Sequence, residues 1–165
     1  MEYYNDISEG YDELYGEEQL EKLLFLKKYL KKSEKILDVG AGTGIAEKIF
    51  SGEYYAVEPT KKLFEKIKTK NKYNTTAEEM DKFLPKIKFD LLICITVAHH
   101  FKSLDKVLEN MKQSLEKEGV LVISLLNNSA KNKEIKEKAS LLFEKIKEIQ
   151  TNKEKFYIFT NTKFI

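Results

Sequence analysis

Residues 36–44 decide the fold, and they read Ile36-Leu37-Asp38-Val39-Gly40-Ala41-Gly42-Thr43-Gly44. The apolar run that ends at Val39 predicts a short buried strand, and the glycines after it predict a turn into a helix. Glycine permits sharp bends and lets a ligand approach the backbone closely. Because open α/β sheets bind nucleosides at such turns, the stretch predicts a nucleoside-binding loop. A simple tight turn is the alternative, but it leaves the three alternating glycines unexplained.

Hydrophobic periodicity on both sides of this loop predicts helices that alternate with strands. Helices are predicted at residues 17–30, 45–50, 60–68, 79–86, 103–118 and 129–142. Strands are predicted at residues 35–39, 54–57, 73–75, 89–97 and 120–126. We interpret Gly119 as the C′ glycine that ends the helix over residues 103–118. The alternation predicts a doubly wound, mostly parallel α/β sheet.

The C-terminal stretch permits two interpretations. Phe143, Ile146 and Ile149 have helical spacing, whereas residues 144–150 also fit a bulged strand. We favour the strand, with residues 152–154 as the turn of an antiparallel hairpin that returns through residues 156–159.

Length and composition indicate one soluble domain over residues 1–165. Of its 165 residues, 42% are hydrophobic and 34% are charged. The first 21 residues carry eight acids and no lysine, unlike a leader peptide, and no uncharged apolar run approaches the roughly 20 residues that span a bilayer. One cysteine cannot form an internal disulfide or a thiolate zinc site, so we expect no metal. We expect a cytoplasmic protein, a monomer or weak dimer with no membrane partner.

Three residues indicate which nucleoside the loop binds. The dinucleotide fingerprint has its third glycine three residues after the second, and Ile45 stands there in this chain. Asp38 would repel a diphosphate but attract an ammonium or sulfonium group. Glu58 follows the predicted strand 54–57 and can accept both hydroxyls of a ribose. A ribose diol joined to a cationic amino acid describes S-adenosyl-L-methionine.

Four segments resemble the motifs of the class I (Rossmann-like) S-adenosylmethionine-dependent methyltransferases, in the small-molecule-type branch with the generic methyltransferase domain. These segments are residues 36–44, 56–59, 76–80 and 89–101. The resemblance covers nearly the whole chain. It implies a seven-stranded sheet with one antiparallel strand near its edge, S-adenosyl-L-methionine as methyl donor and S-adenosyl-L-homocysteine as product.

The loop chemistry and the resemblance together predict the cofactor-binding residues. They are Asp38, Gly40, Ala41, Gly42, Thr43, Gly44, Glu58, Pro59, Ala77, Glu78, Ile95, Thr96 and Tyr11. In the third motif Thr76 replaces the family's usual aspartate, so the adenine contact falls to Glu78 or to the backbone.

Tyrosines and acids crowd the N-terminal segment. The resembling family closes a tyrosine-bearing N-terminus over the cofactor, which implies that residues 1–32 form a lid and residues 33–165 the core sheet. A sulfonium near Tyr3, Tyr4, Tyr11 or Tyr15 would gain cation–π attraction. Surface aromatics that anchor a loose terminus are the alternative.

His99 and His100 are the candidate catalytic residues. They are the only histidines, they follow the predicted strand 89–97, and histidine is a natural base at neutral pH. Packing of either ring against the sheet is the alternative, and two adjacent residues cannot both face the acceptor. We predict that Cys94 is a buried structural thiol, which argues against cytosine-C5 methylation. Relatives that methylate exocyclic amines or amides carry an Asp/Asn-Pro-Pro-aromatic stretch, and none follows Val97 here. Exocyclic amines and amides are therefore less favoured as acceptors.

We expect an enzyme that methylates an unidentified small molecule. All 29 basic residues are lysines, and the lack of arginine weakens a nucleic-acid acceptor without abolishing it. RNA or protein acceptors gripped with a partner subunit stay open. So do a non-catalytic scaffold or activator that binds the cofactor, and an NAD-dependent oxidoreductase.

Overall fold

The computed structural model describes residues 10–84 and 86–162, without the side chains of Tyr11, Asp12 and Leu14. Seven strands form one sheet. They are β1 (Lys35–Val39), β2 (Glu53–Val57), β3 (Lys72–Tyr73), β4 (Phe89–Ile95), β5 (Leu115–Leu126), β6 (Glu144–Gln150) and β7 (Glu154–Thr160). The helices are α1 (Tyr11–Lys27), α2 (Lys61–Lys66), α3 (Leu104–Ser114) and α4 (Asn132–Leu142). Among the described residues, no helix has both the length and the apolar character needed to cross a bilayer.

The strand order places a ligand crevice in the middle of the sheet. The order is β3-β2-β1-β4-β5-β7-β6, so the chain moves outward from β1 in one direction and then restarts on its other side at β4. Strands β1 to β5 pair in parallel, and their carboxyl ends lie at one edge. Ligands bind where the strand order reverses, which here is beside β1 and β4.

The C-terminal hairpin is confirmed. Strand β7 is antiparallel to both β5 and β6, so it is the one reversed strand and lies next to the edge strand β6. The register between β6 and β7 shifts between Lys145 and Lys147, as expected of a bulged strand. The structure therefore has the predicted doubly wound sheet with its antiparallel hairpin.

Hydrophobic clusters cover both faces of the sheet. In β4, Leu92 and Cys94 belong to the cluster that contains α3 and α4 side chains, whereas Leu91 and Ile93 belong to the cluster that contains α1 side chains. All four side chains are buried, which explains why β4 has no polar face. Cys94 is thus a core thiol, as predicted, and burial raises its pKa.

Two predicted helices are only single 3₁₀ turns. Residues 45–50 contain the turn Ile45–Lys48, because β2 already begins at residue 53 and leaves no length for a full helix. Residues 79–86 contain the turn Met80–Lys82, and the proline at position 85 cannot continue a helix. The other predicted helices and strands exist; β1 and β6 have the predicted bounds, and the ends of the rest are shifted.

Gly119 does not end a helix, so that prediction is wrong. Helix α3 ends at Ser114, and Gly119 lies inside β5, where the register with β4 shifts between Phe89 and Leu91. A Cβ atom at Gly119 would lie 2.9 Å from the Phe89 carbonyl oxygen and 3.0 Å from that of Glu116. Crowding by backbone, and not a left-handed conformation, therefore selects glycine here.

The substitution Gly119→Ala tests this crowding. In an uncrowded strand, alanine stabilises relative to glycine by roughly 0.5–1 kcal/mol. Here we expect the free energy of unfolding, measured by denaturant titration, to fall by about 1–3 kcal/mol because the methyl group forces the backbone apart. The exposed neighbour provides the control Glu118→Ala, which should stay within about 0.5 kcal/mol of wild type. A more stable Gly119→Ala protein would contradict the crowding.

Candidate functional site

A cavity of about 470 Å³ opens at the carboxyl ends of β1, β2 and β4. Helix α1 covers one side of it with Gln19 and Leu23, and residues 76–79 and 100–102 form the opposite rim. The cavity therefore occupies the crevice where the strand order reverses.

Most of the predicted cofactor-binding residues meet in this cavity. Its lining includes Asp38, Gly40, Ala41, Gly42, Thr43, Glu58, Pro59, Ala77, Glu78, Ile95 and Thr96. Gly44 is not part of the lining; it precedes the 3₁₀ turn at residue 45 with φ +81°. The side chain of Tyr11 lies outside the described residues. Segments far apart in sequence therefore converge on one space, as the motif assignment predicted.

The loop after β1 requires glycine for two reasons. The φ angles of Gly40 and Gly42 are +76° and +59°, a region that other residues rarely adopt. A Cβ atom at Gly40 would also lie 2.6 Å from both methyl carbons of Val97. The Gly40 N–H donates to the Val57 carbonyl at 2.8 Å, so the loop continues the pairing of β1 with β2. The backbone of the glycine loop therefore lines the cavity floor with no side chain at Gly40 or Gly42 to cover it.

Glu58 joins the glycine loop to the end of β2. The Gly42 N–H donates to its Oε2 at 2.8 Å, and the Thr60 N–H donates to its Oε1 at 2.8 Å. Burial raises the pKa of Glu58, and these two hydrogen bonds oppose the rise. The Thr60 hydroxyl is a third hydrogen-bond partner of this carboxylate. Glu58 is thus held rigid at the cavity wall, and a ligand hydroxyl would share its oxygens with these donors.

Asp38 is a buried carboxyl on the same cavity wall. The Tyr54 hydroxyl donates to its Oδ2 at 2.6 Å. The pKa of Asp38 is raised from 3.8 to about 7: burial is the largest cause, the hydrogen bond from Tyr54 opposes the rise, and the charge of Glu58 adds to it. A cation that enters the cavity would stabilise the ionised form.

Tyr54 is a site residue that the sequence reasoning missed. Asp38 pairs with Ala56 across β1 and β2, and Tyr54 lies two residues before Ala56. Side chains two apart share one face of a strand, so the strand pairing was the signal that could have found this contact.

The segment at residues 76–79 is held by hydrogen bonds from α3 and the loop before it. Asn110 donates its Nδ2 hydrogens to the carbonyls of Ala77 and Glu78, both at 3.0 Å. The Lys102 N–H donates to the Glu78 carboxylate at 2.7 Å. One oxygen of the Glu78 carboxylate is therefore already hydrogen-bonded to the protein.

His99 and His100 form the turn Ala98–His100 after β4, with ring centroids 3.9 Å apart. Only His100 lines the cavity. Burial lowers the pKa of both imidazoles, and the Lys131 charge lowers both further, as the charge of His99 does for His100. Both rings are therefore neutral near pH 7 and able to accept a proton. Among residues 10–84 and 86–162, no cluster of His, Cys, Asp and Glu side chains could hold a metal ion.

The model of one known family, described as a methyltransferase domain, matches residues 11–160. The chain belongs to this methyltransferase family. The match confirms the resemblance to the class I S-adenosylmethionine-dependent methyltransferases, and it takes in β1 to β7 with the cavity between them.

A curated relative is similar to part of the chain. Ribosomal protein L11 methyltransferase of Thermotoga neapolitana is 32% identical over 112 residues, which are 62% of this chain and 40% of that protein. The chain thus spans less than half the length of the curated relatives it matches.

Solved structures share the fold at low identity. The N-methyltransferase NodS of Bradyrhizobium japonicum, solved with S-adenosyl-L-homocysteine, has a TM-score of 0.73 at 14% identity and covers 89% of this chain and 87% of its own. A "possible histamine N-methyltransferase" of Thermotoga maritima has a TM-score of 0.74 at 15% identity, covering 96% and 97%. These likenesses confirm the Rossmann-like methyltransferase fold.

The raised pKa of Asp38 predicts how the stability of the protein changes with pH. The unfolded chain loses this proton near pH 3.8 and the folded chain only near pH 7, so folding is penalised increasingly as the pH rises between these values. We expect Asp38→Asn, which carries no charge, to be more stable than wild type by about 2–4 kcal/mol at pH 8. This gap should shrink towards pH 4.

Denaturant titrations at several pH values measure the gap. Glu109→Gln, which neutralises an exposed carboxylate, is the control and should change stability by no more than about 0.5 kcal/mol. A difference between Asp38→Asn and wild type that does not vary with pH would contradict the burial of a titrating carboxyl.

Proposed function

We propose that this protein transfers a methyl group from S-adenosyl-L-methionine to a small-molecule acceptor. The observation that carries the proposal is the pair of buried carboxyls, Asp38 and Glu58, on either side of a left-handed glycine loop in one cavity. The family supports the reaction class, and a small acceptor is proposed because the core sheet and its helices account for nearly all of the described residues.

The residues present fit this cofactor. Glu58 offers two prealigned acceptor oxygens, which suit the two hydroxyls of a ribose. Asp38 offers a buried carboxyl whose ionised form a cation stabilises, which suits the cationic amino-acid portion. The cavity volume of about 470 Å³ falls within the range of pockets that bind small molecules. Asp38 in its ionised form repels a diphosphate, which disfavours NAD at this wall.

The protein's part in the reaction is to bind, orient and exclude water. S-adenosyl-L-methionine supplies a methyl carbon on a positively charged sulfur, so the difficult chemistry belongs to the cofactor. Gln19 and Leu23 of α1 cover the cavity from one side, which supports a lid function for residues 1–32 over a core of residues 33–165. Enclosure holds the acceptor in line and keeps water from competing.

We propose His100 as the general base for an acceptor that arrives protonated. It lines the cavity, and its lowered pKa leaves the ring neutral and able to take the acceptor's proton. His99 packs against it and lies outside the cavity lining, so we assign His99 a supporting role.

A protein acceptor is the second candidate. The curated relative at 32% identity is named for methylation of a ribosomal protein. Because this chain covers only 40% of that relative, such an acceptor would need recognition surfaces from elsewhere, for example from a partner subunit.

Cofactor binding is tested by calorimetric titration with S-adenosyl-L-homocysteine. We expect Glu58→Gln to weaken binding by about 1–3 kcal/mol because a carboxylate that accepts the ribose hydroxyls is lost. Glu53→Gln is the matched control, since Glu53 begins the same strand at the opposite edge of the sheet. Unchanged affinity in Glu58→Gln, or tighter binding of NAD than of the adenosyl ligand, would show that the site is misassigned.

Catalysis is tested by tracing isotopic methyl label from the cofactor into cell-extract components by mass spectrometry. We expect one small molecule to acquire the label, at a rate that falls roughly 100-fold or more in His100→Asn if its reacting group arrives protonated. The effect of His99→Asn should be smaller. A labelled ribosomal protein would favour the second candidate, and no labelled product in any extract would favour a non-catalytic binding protein.

A further inference from the structure

A buried polar cluster beside the cavity joins three parts of the fold. Glu154, the first residue of β7, is 1% exposed. Its Oε1 accepts hydrogen bonds from the hydroxyl of Ser124 in β5, at 2.8 Å, and from the hydroxyl of Thr96, just after β4. The ammonium of Lys22 in α1 lies 3.0 Å from Oε2 as an ion pair. A single carboxylate thus contacts side chains from α1, β5 and the end of β4.

The cluster explains the unusual backbone conformation of Thr96. Its φ is +58°, and it is the only described residue other than glycine with a positive φ. A β-branched residue is strained in this region and needs its surroundings to hold it there. The Thr96 N–H donates to both the Oγ and the carbonyl of Ser124, and its Oγ1 donates to Glu154. Because Thr96 lines the cavity, its backbone conformation shapes the wall.

Lys22 connects the same carboxylate to the cover of the cavity. Its side chain is 12% exposed, and its Nζ also lies 3.4 Å from Thr96 Oγ1. Lys22 lies one residue before Leu23, which lines the cavity. Glu154 is buried, so removing Lys22 would leave its charge uncompensated, which is costly. Exposed ion pairs, such as Glu18 with Lys153 at 3.8 Å, contribute far less.

We propose that Glu154 is a positioning residue for the cofactor cavity. It holds Thr96 in its left-handed conformation at the cavity wall and, through Lys22, docks α1 over the same cavity. This inference rests on the proposed function, because its effect is measured as affinity for S-adenosyl-L-homocysteine.

Two variants of Thr96 separate conformation from packing. Thr96→Val keeps the shape and the β-branch but loses the hydroxyl that Glu154 holds, so the strained conformation loses its support. Thr96→Gly also loses the hydroxyl but adopts a positive φ without strain. We expect the glycine variant to bind S-adenosyl-L-homocysteine at least fivefold more tightly than the valine variant. If Thr96 served only to fill space, valine would bind at least as tightly as glycine.

The docking of α1 is tested by Lys22→Met against the control Lys153→Met. Both remove a lysine that pairs between α1 and the β6–β7 hairpin, but the Lys22 side chain is 12% exposed and that of Lys153 is 71% exposed. We expect Lys22→Met to weaken binding about tenfold or more and Lys153→Met to bind as wild type does. Equal affinity of the two variants would overturn the docking role. Thermal unfolding checks that each variant is folded. If Lys22→Met does not fold, the comparison of Thr96→Val with Thr96→Gly tests the role of Glu154.

The proposed function and the positioning role of Glu154 are overturned by different results. A wild-type protein that binds no S-adenosyl-L-homocysteine overturns the proposed function. A wild-type protein that binds it, with the valine variant equal to or tighter than the glycine variant, overturns the role of Glu154 alone.

Discussion

Two backbone N–H groups fix the Glu58 carboxylate: that of Gly42 joins it to the glycine loop, and that of Thr60 holds it at the end of β2. They convert a flexible stretch of glycines into a fixed cavity floor, and they keep the carboxylate aligned although burial disfavours its charge. Asp38 and Tyr54 complete this wall. The rest of the fold positions this wall. Strands β1, β2 and β4 bring their carboxyl ends to it, and hydrophobic clusters cover both faces of the sheet.

The cavity has two electrostatic halves. On the β1–β2 side, the buried carboxyls favour a cation, which would stabilise their ionised forms. On the side after β4, His100 lies near Lys131, whose charge helps to keep the imidazole neutral. The first half suits a sulfonium-bearing amino acid and the second suits an acceptor that gives up a proton. Asp38 thereby carries a stability cost in the free protein that a bound cation would offset.

Local patterns in the sequence predicted much of this structure. The strand-glycine-helix pattern at residues 36–44 located the cavity, and the uninterrupted apolar run of β4 predicted a strand covered on both faces. The bulged hairpin followed from apolar spacing around a polar turn. In each case the determinants lie within about ten residues of one another, where periodicity and turn chemistry operate.

The features that sequence reasoning missed depend on distant partners. Tyr54 reaches Asp38 only through the pairing of β1 with β2, and Glu154 meets Thr96 across 58 positions of sequence. Gly119 was misplaced because the charged residues 116–118 extend the helical pattern, whereas Leu115 is buried and pairs with Phe89 in the sheet. Strand order and register, which no local pattern supplies, determine all three.

A crystal structure of the protein with S-adenosyl-L-homocysteine tests the central claim most directly. The geometry predicts both ribose hydroxyls within hydrogen-bonding distance of the Glu58 carboxylate and the amino-acid portion of the ligand on the Asp38 side of the glycine loop. A ligand seated elsewhere, or a ribose that makes no contact with Glu58, would contradict it.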